Sequence, residues 1–467
     1  MAMTWYLQVL IVSVCLKQCL SQTLNQQICI MVPQSTLQCM KDSEISPTNP
    51  MFAQISCLQD LFWSLRPDRS LSEIDAEYIR NLTSTMSGQP IDWREHLGVS
   101  GQGKMPNKPN FLYPSSGYRK RKEFRLMTST ERLRFNEAMK RAYLDGVIDR
   151  FARIHASIVY FHYNGPSFLS WNRMFLIYFE EALRRYDPNV FLPYWASPLD
   201  NAMDNPVNSV LWTPAYFGNG EGPVVSGPAA YWRHDQGFLR RYYGRRSTLV
   251  TRPQIRRIYS KCRLADISRP TADLRNDIEY LTAGPHNWLG GDMNTYEYAG
   301  YDPVFYMHRA YIDYIWEEFR EKQRVRCSVE PSTDYPEVPM ASSHSRHARM
   351  KVFSMFTNND GILNHWTNNW YSYENEPECP DCCPGCNNPA PLRCKRWQNA
   401  CVSRSTWADG LIPSQVSVQS PTSVFQMPRN RGALFESTFG DGRTIYTAVE
   451  DALAAARNSQ PDNSTIV

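Results

Sequence analysis

Residues 168–186, "FLSWNRMFLIYFEEALRRY", constrain the fold more than any other stretch of the chain. Met174, Phe175, Ile177, Tyr178 and Leu183 recur at helical spacing, and Asp187-Pro188 ends the run. A helix this apolar and aromatic must be packed over most of its surface, so other elements have to be arranged around it. Asn172, between Trp171 and Arg173, is out of place there: a short polar amide on a face that should be packed.

Other helices are signalled on either side. "TSTE" at 128–131 has capping-box spacing, Thr128 with Glu131, and predicts a helix running on through "RLRFNEAMKRAYLDGVIDRFARIHASI". A third helix is expected over about 271–283. A fourth starts at Asp302-Pro303, a capping residue followed by proline at the first helical position, and continues through "VFYMHRAYIDYIWEEFREKQR". Residues 187–270 are rich in Pro and Gly and read as a long structured connection. Two helix pairs separated by a long excursion suit a bundle that builds a site between its helices. The expected fold is therefore mainly α, a four-helix-bundle core with long loops over 119–330. A loop-rich segment, 22–118, precedes it. After 331 the composition shifts to Pro, Ser and Cys, which predicts a C-terminal extension, 331–467, with some strand.

The chain has 467 residues, 42% of them hydrophobic, with 26 Tyr, 20 Phe and 13 Trp, which suits a dense core rather than a disordered chain. Net charge is only +4. "RKRKEFR" (119–125) and "RRYYGRR" (240–246) are basic runs, but no nucleic-acid motif accompanies them, so they read as solvated faces and no nucleic-acid partner is expected.

The apolar stretch at 5–16 is too short to span a bilayer, and Cys19 and Ser21 suit a signal-peptidase site, so 1–21 reads as a signal peptide. No later segment reads as a membrane anchor. Thirteen cysteines occur, and removal of Cys15 and Cys19 with the leader leaves eleven. Six of these fall in "CPDCCPGCNNPAPLRCKRWQNAC", 379–401. CxxCCxxC spacing is compatible with zinc, but in an oxidising compartment closely spaced, Pro-rich cysteines point to a disulfide-stapled module. An odd total leaves one thiol free or paired between chains. The sequons at Asn81 and Asn463 agree with secretion.

Nine histidines occur, and four lie in or beside the bundle helices: His155, His162, His286 and His308. His344 and His347 in "HSRH" read as surface residues. Asp302 and Asp313 read as cap and ion-pair residues, and Arg173, Glu180 and Asp313 as a buried polar scaffold.

These residues carry a resemblance. "GPSFLSWNRMFLIYFEEALR" is similar to the tyrosinase signature in which a histidine lies between Trp and Arg. "HNWLGGDM" followed by "YDPVFYMHRAYIDYIW" resembles that family's second signature, and "LPYW", "SVLW" and "GPVVSGP" resemble its connecting region. The resemblance covers about 119–375 and points to secreted molluscan tyrosinases. It implies a bundle holding two copper ions, each by three imidazoles, that oxidises phenols and catechols to quinones.

Carried over position by position, His155 matches the first ligand of copper A. His162 matches the second if one residue is inserted, since the family's spacing falls on Tyr163. Asn172 stands at the third. In the copper B signature His286 matches the second ligand, with Thr282 where its partner belongs, or else the first with one helical turn deleted. Arg309 stands at the third, and His308 matches a neighbour of the metal. The metal-binding candidates are therefore His155, His162 and His286, with His308 in addition. Asn172 offers a poor copper donor, and Arg309 adds a fixed positive charge with no acceptor. The resemblance thus leaves three readings: a phenol oxidase with an impaired copper centre, a non-catalytic extracellular matrix protein of the kind that structures shells, or a dioxygen carrier. Its partners would be phenolic small molecules or matrix proteins.

Overall fold

The computed structural model describes residues 71–88, 111, 114, 116–340, 342–377, 391–398 and 400–406. Residues 1–70, and with them the expected signal peptide, most of the Cys-rich module and 407–467 lie outside the described residues. The described helices are α1 (Glu73–Ser87), α2 (Ser129–Leu144), α3 (Val147–His162), α4 (Ser167–Arg184), α5 (Pro198–Asn201), α6 (Arg252–Tyr259), α7 (Ile278–Leu289) and α8 (Pro303–Cys327). Strands are short and paired two by two. The fold is mainly α, as expected. Among the described residues no helix is long and apolar enough to cross a membrane.

α4 is the centre of the molecule: every residue from Ser167 to Arg184 is buried. α3 and α8 pack on it, and α7 packs on α8, which gives the four-helix core. The polar residues of α4 survive burial because each meets a partner. Arg173 donates to Asp313 on α8 at 3.0 Å from both Nε and Nη2, and pairs with Glu317. Glu180 accepts from Arg121 at 2.9 Å, and Asp313 accepts from the hydroxyls of Tyr371 and Tyr373 at 2.6 and 2.7 Å. Burial alone would push the Asp313 carboxyl up, but Arg173 and Arg121 outweigh it and hold it below the usual range. The scaffold of Arg173, Glu180 and Asp313 is therefore one network, joined through Arg121.

The helix ends follow local signals where these exist. Thr128 and Glu131 form a capping box, and Asp302 caps α8 by accepting from Val304 N–H while pairing with Arg241. The single helix expected from 128 onward is two, because Asp145-Gly146 breaks it with Gly146 at φ 71°, a left-handed conformation that favours glycine. The third helix begins at Ile278 rather than near 271, capped by Asp277, and runs through Pro285 to Leu289.

The basic runs are solvated faces only in part: Lys120, Arg240, Arg245 and Arg246 are exposed, as expected. Arg119, Arg121 and Arg241 are buried, and Arg241 is held by both oxygens of Asp302 at 2.7 and 2.8 Å. Residues 331–377, read from composition as appended material, are part of the core: β2 (Tyr371–Tyr373) pairs in parallel with β1 (Arg119–Arg121), and Trp366 and Trp370 are fully buried. Cys262 and Cys327 form a disulfide that joins the segment after α6 to the end of α8. Cys394 and Cys401, directly opposite each other in the hairpin of β3 (Leu392–Lys395) and β4 (Ala400–Ser403), are each disulfide-bonded. The other four cysteines of the module lie outside the described residues.

Candidate metal centre

α3 supplies His155, α4 supplies Asn172, α7 supplies His286, and α8 supplies His308 and Arg309. The turn at 299–301 approaches α3 closely at Gly300, where a Cβ would stand 2.7 Å from the Ala152 Cα. Close by in the chain, the Tyr296 carbonyl lies 3.2 Å from His155 Nδ1. A carbonyl only accepts, so Nδ1 carries the proton and Nε2 is an acceptor. Nε2 lies 2.6 Å from the Tyr163 hydroxyl, which in turn is 2.5 Å from Arg309 Nη2. Arg309 can only donate, so the chain runs one way: Arg309 N–H to Tyr163, Tyr163 O–H to His155.

His162 is not part of this group. Its Nε2 accepts from the Lys351 backbone N–H at 2.9 Å, so Nδ1 is protonated and donates to Ser167 Oγ at 3.0 Å. Ser167 passes its own proton toward His344 Nδ1, 2.7 Å away, and the His162 ring stacks on Trp171. Both nitrogens of His162 thus hold the 342–351 segment against the start of α4. His344, expected on the surface, is half-buried in this contact, whereas His347 is exposed. The residue brought into the centre is Tyr163, at the position where the family's spacing falls.

On the other side, His286 Nδ1 donates to the Met293 carbonyl at 2.7 Å and His308 Nε2 donates to the Thr282 carbonyl at 3.0 Å. Their remaining nitrogens, His286 Nε2 and His308 Nδ1, are buried without a partner among the described residues, and the two rings lie 5.2 Å apart. Thr282 sits one turn before His286 on α7, its hydroxyl turned back to the Ile278 carbonyl.

Arg309 is 2% exposed and forms no ion pair with any described carboxylate. Its guanidinium carbon lies 5.2, 5.3 and 5.4 Å from the ring centres of Phe305, Phe168 and Tyr163, an aromatic surround that offsets part of its desolvation. Nε and Nη1 have no hydrogen-bond partner. Asn172, 6% exposed, donates from Nδ2 to the Phe168 carbonyl at 2.7 Å and leaves Oδ1 unpartnered.

Burial, followed by the Arg309 charge, pulls the His155 and His308 imidazoles down to about 3, and the same causes hold His286 well below its usual value. All three are neutral at physiological pH. Because their folded-state values lie below the unfolded value near 6.5, they contribute stability that is fully present above that pH. It is lost as the pH falls toward about 3. Each should cost up to about 1.4 kcal/mol per pH unit in that window. Glu279 and Glu376, buried carboxyls pushed up to about 8 and about 7, act in the opposite sense over the same range, so a net urea midpoint does not isolate the histidines. Imidazole NMR shifts of the folded chain do: His155, His286 and His308 should stay neutral from pH 7.5 to 5, and protonation of any of them in that range would mean that it is not buried neutral.

The donor set does not fit a pair of copper ions. His162 is engaged elsewhere, Asn172 and Tyr163 replace imidazoles, and His155 Nε2 is already bonded to Tyr163. A fixed cation lies beside the two free imidazole nitrogens. Among the described residues no three His, Cys, Asp or Glu side chains are arranged to hold a metal ion.

Residues 145–322 match the family model for the common central domain of tyrosinase. A tyrosinase-like protein of Caenorhabditis elegans is 33% identical over 284 residues, 58% of this chain but only 40% of that one. Tyrosinase-like protein 2 of Margaritifera margaritifera is 32% identical over 356 residues, 70% of this chain and 76% of its own length. Among solved structures, a polyphenol oxidase of Thermothelomyces thermophila aligns with a TM-score of 0.45 and 15% identity, covering 66% of this chain and all of that one. The domain match, and identity sustained over most of the Margaritifera protein, establish that the chain belongs to the tyrosinase family.

Proposed function

We propose that this chain is an extracellular tyrosinase-family protein that does not oxidise phenols, its fold serving as a structural or binding component of a matrix outside the cell. One observation carries the reading: the buried Arg309 guanidinium, bonded through Tyr163 to His155, stands among the side chains that would have to hold copper. The leader-like N-terminus and the paired cysteines Cys262–Cys327 support the extracellular setting. What such a matrix protein would bind is a protein surface rather than a phenol. The dioxygen-carrier reading requires the full ligand set and falls with it.

The unpartnered nitrogens of His286 and His308 favour a second reading, in which a single copper is held weakly beside Arg309. Oxygen uptake with catechol distinguishes the two, measured on the purified chain with copper supplied and compared with the same free copper alone. The expected result is no uptake above the free-copper control. Sustained, protein-dependent oxidation would overturn the proposal.

A further inference from the structure

We propose that the cavity between Asn172 and Arg309 is a binding site for one ordered water molecule, held by two residues that stand at former metal-ligand positions. The inference rests on the copper-free reading of the centre. The cavity measures about 10 Å³ and is lined by Phe168, Leu169, Asn172, Arg309, Ile312 and Asp313. That is about the space one water requires.

The chemistry of the walls selects the occupant. Phe168, Leu169 and Ile312 offer no polar side-chain group. Asp313 lines the cavity too, but Oδ1 already accepts twice from Arg173 and Oδ2 accepts from Tyr371 and Tyr373. What remains unpartnered is an acceptor, Asn172 Oδ1, and a set of donors, Arg309 Nε and Nη1. The amide cannot exchange these roles, because turning it over would set its oxygen against the Phe168 carbonyl that Nδ2 now holds at 2.7 Å. An occupant must therefore accept from a guanidinium and donate to an amide oxygen. A halide accepts but cannot donate, and an ammonium ion donates but cannot accept. A metal ion is repelled by Arg309. Water does both, and it completes the hydrogen bonding of two side chains that are more than nine-tenths buried.

The guanidinium and this water together occupy space between α4 and α8, which is how the bundle keeps its packing without a metal.

The test is a crystal structure of the full chain at a resolution that shows ordered water. One crystal is soaked in bromide, and anomalous data are collected at the copper and bromine edges. The expected result is a water peak about 2.7–3.2 Å from Asn172 Oδ1 and from an Arg309 nitrogen, no bromide there, and no copper. The peak should vanish in Asn172→Leu, which has a similar volume but no acceptor. An empty cavity, a bromide peak in it, or a peak that persists in Asn172→Leu would overturn the water while leaving the copper-free reading intact. An anomalous copper peak among the histidines would overturn that reading and the water with it.

Discussion

Asp313→Ala should be among the most damaging single substitutions in the protein. The carboxylate is 4% exposed and accepts four hydrogen bonds, two from Arg173 and one each from Tyr371 and Tyr373, with Arg121 Nη1 3.6 Å away. Its removal strands Arg173 at the heart of α4, fully buried, with Glu317 as its remaining carboxylate partner. Breaking one side of a buried pair costs roughly 3–5 kcal/mol, a large part of the 5–15 kcal/mol that holds a typical domain together. The expected outcome is a chain that is largely insoluble, or one whose urea midpoint falls by a third or more. Asp313→Asn keeps the shape and the acceptor oxygen and should fall in between. A midpoint within error of the unmodified protein would show that the network is peripheral to stability.

The second large effect is a gain. The fourfold variant Tyr163→His, Asn172→His, Thr282→His and Arg309→His should bind copper where the unmodified chain does not. Two unit charges about 4 Å apart at an effective dielectric near 20 repel by roughly 4 kcal/mol. Removing Arg309 alone is therefore worth about a thousandfold in copper affinity. The other three changes supply imidazoles at the end of α3, on α4 and one turn before His286. Copper content should rise more than activity, because activity also depends on partners that orient the ligands, and the lack of such partners alone costs 10–100-fold. Adding His162→Gln to this variant tests the register. His162 faces Lys351 and Ser167, so copper content should not change. A loss of one copper on that addition would mean that His162 turns into the centre once metal is present.

Much of this was legible from local patterns. The central helix, its end before Asp187-Pro188, the capping box at Thr128 and the Asp302-Pro303 start all depend on neighbours within a few residues, and the structure has each of them. The break at Gly146 carried an Asp-Gly signal too, but it lay inside a helical pattern strong enough to mask it. Interactions between distant residues were hidden. Arg121 and Arg241 looked like solvated charges because their partners Glu180 and Asp302 lie 59 and 61 residues away. The Pro- and Ser-rich composition after 331 looked like an appendage because it reports loop content, not packing. At the centre, the spacing pointed to Tyr163 while residue type pointed to His162, and spacing was the better guide to which side chain faces inward. Asn172 and Arg309 were recognisable as misfits. That Arg309 lies buried, bonded through Tyr163 to His155 and ringed by three aromatic side chains, needed the fold.

Whether Arg309 and its neighbours have displaced the copper pair is read from the copper content of the full chain. The purified full chain is dialysed against excess copper and then against buffer, and its copper is measured against protein concentration. The expected value is well under one copper ion per chain. Two tightly held copper ions per chain would contradict it.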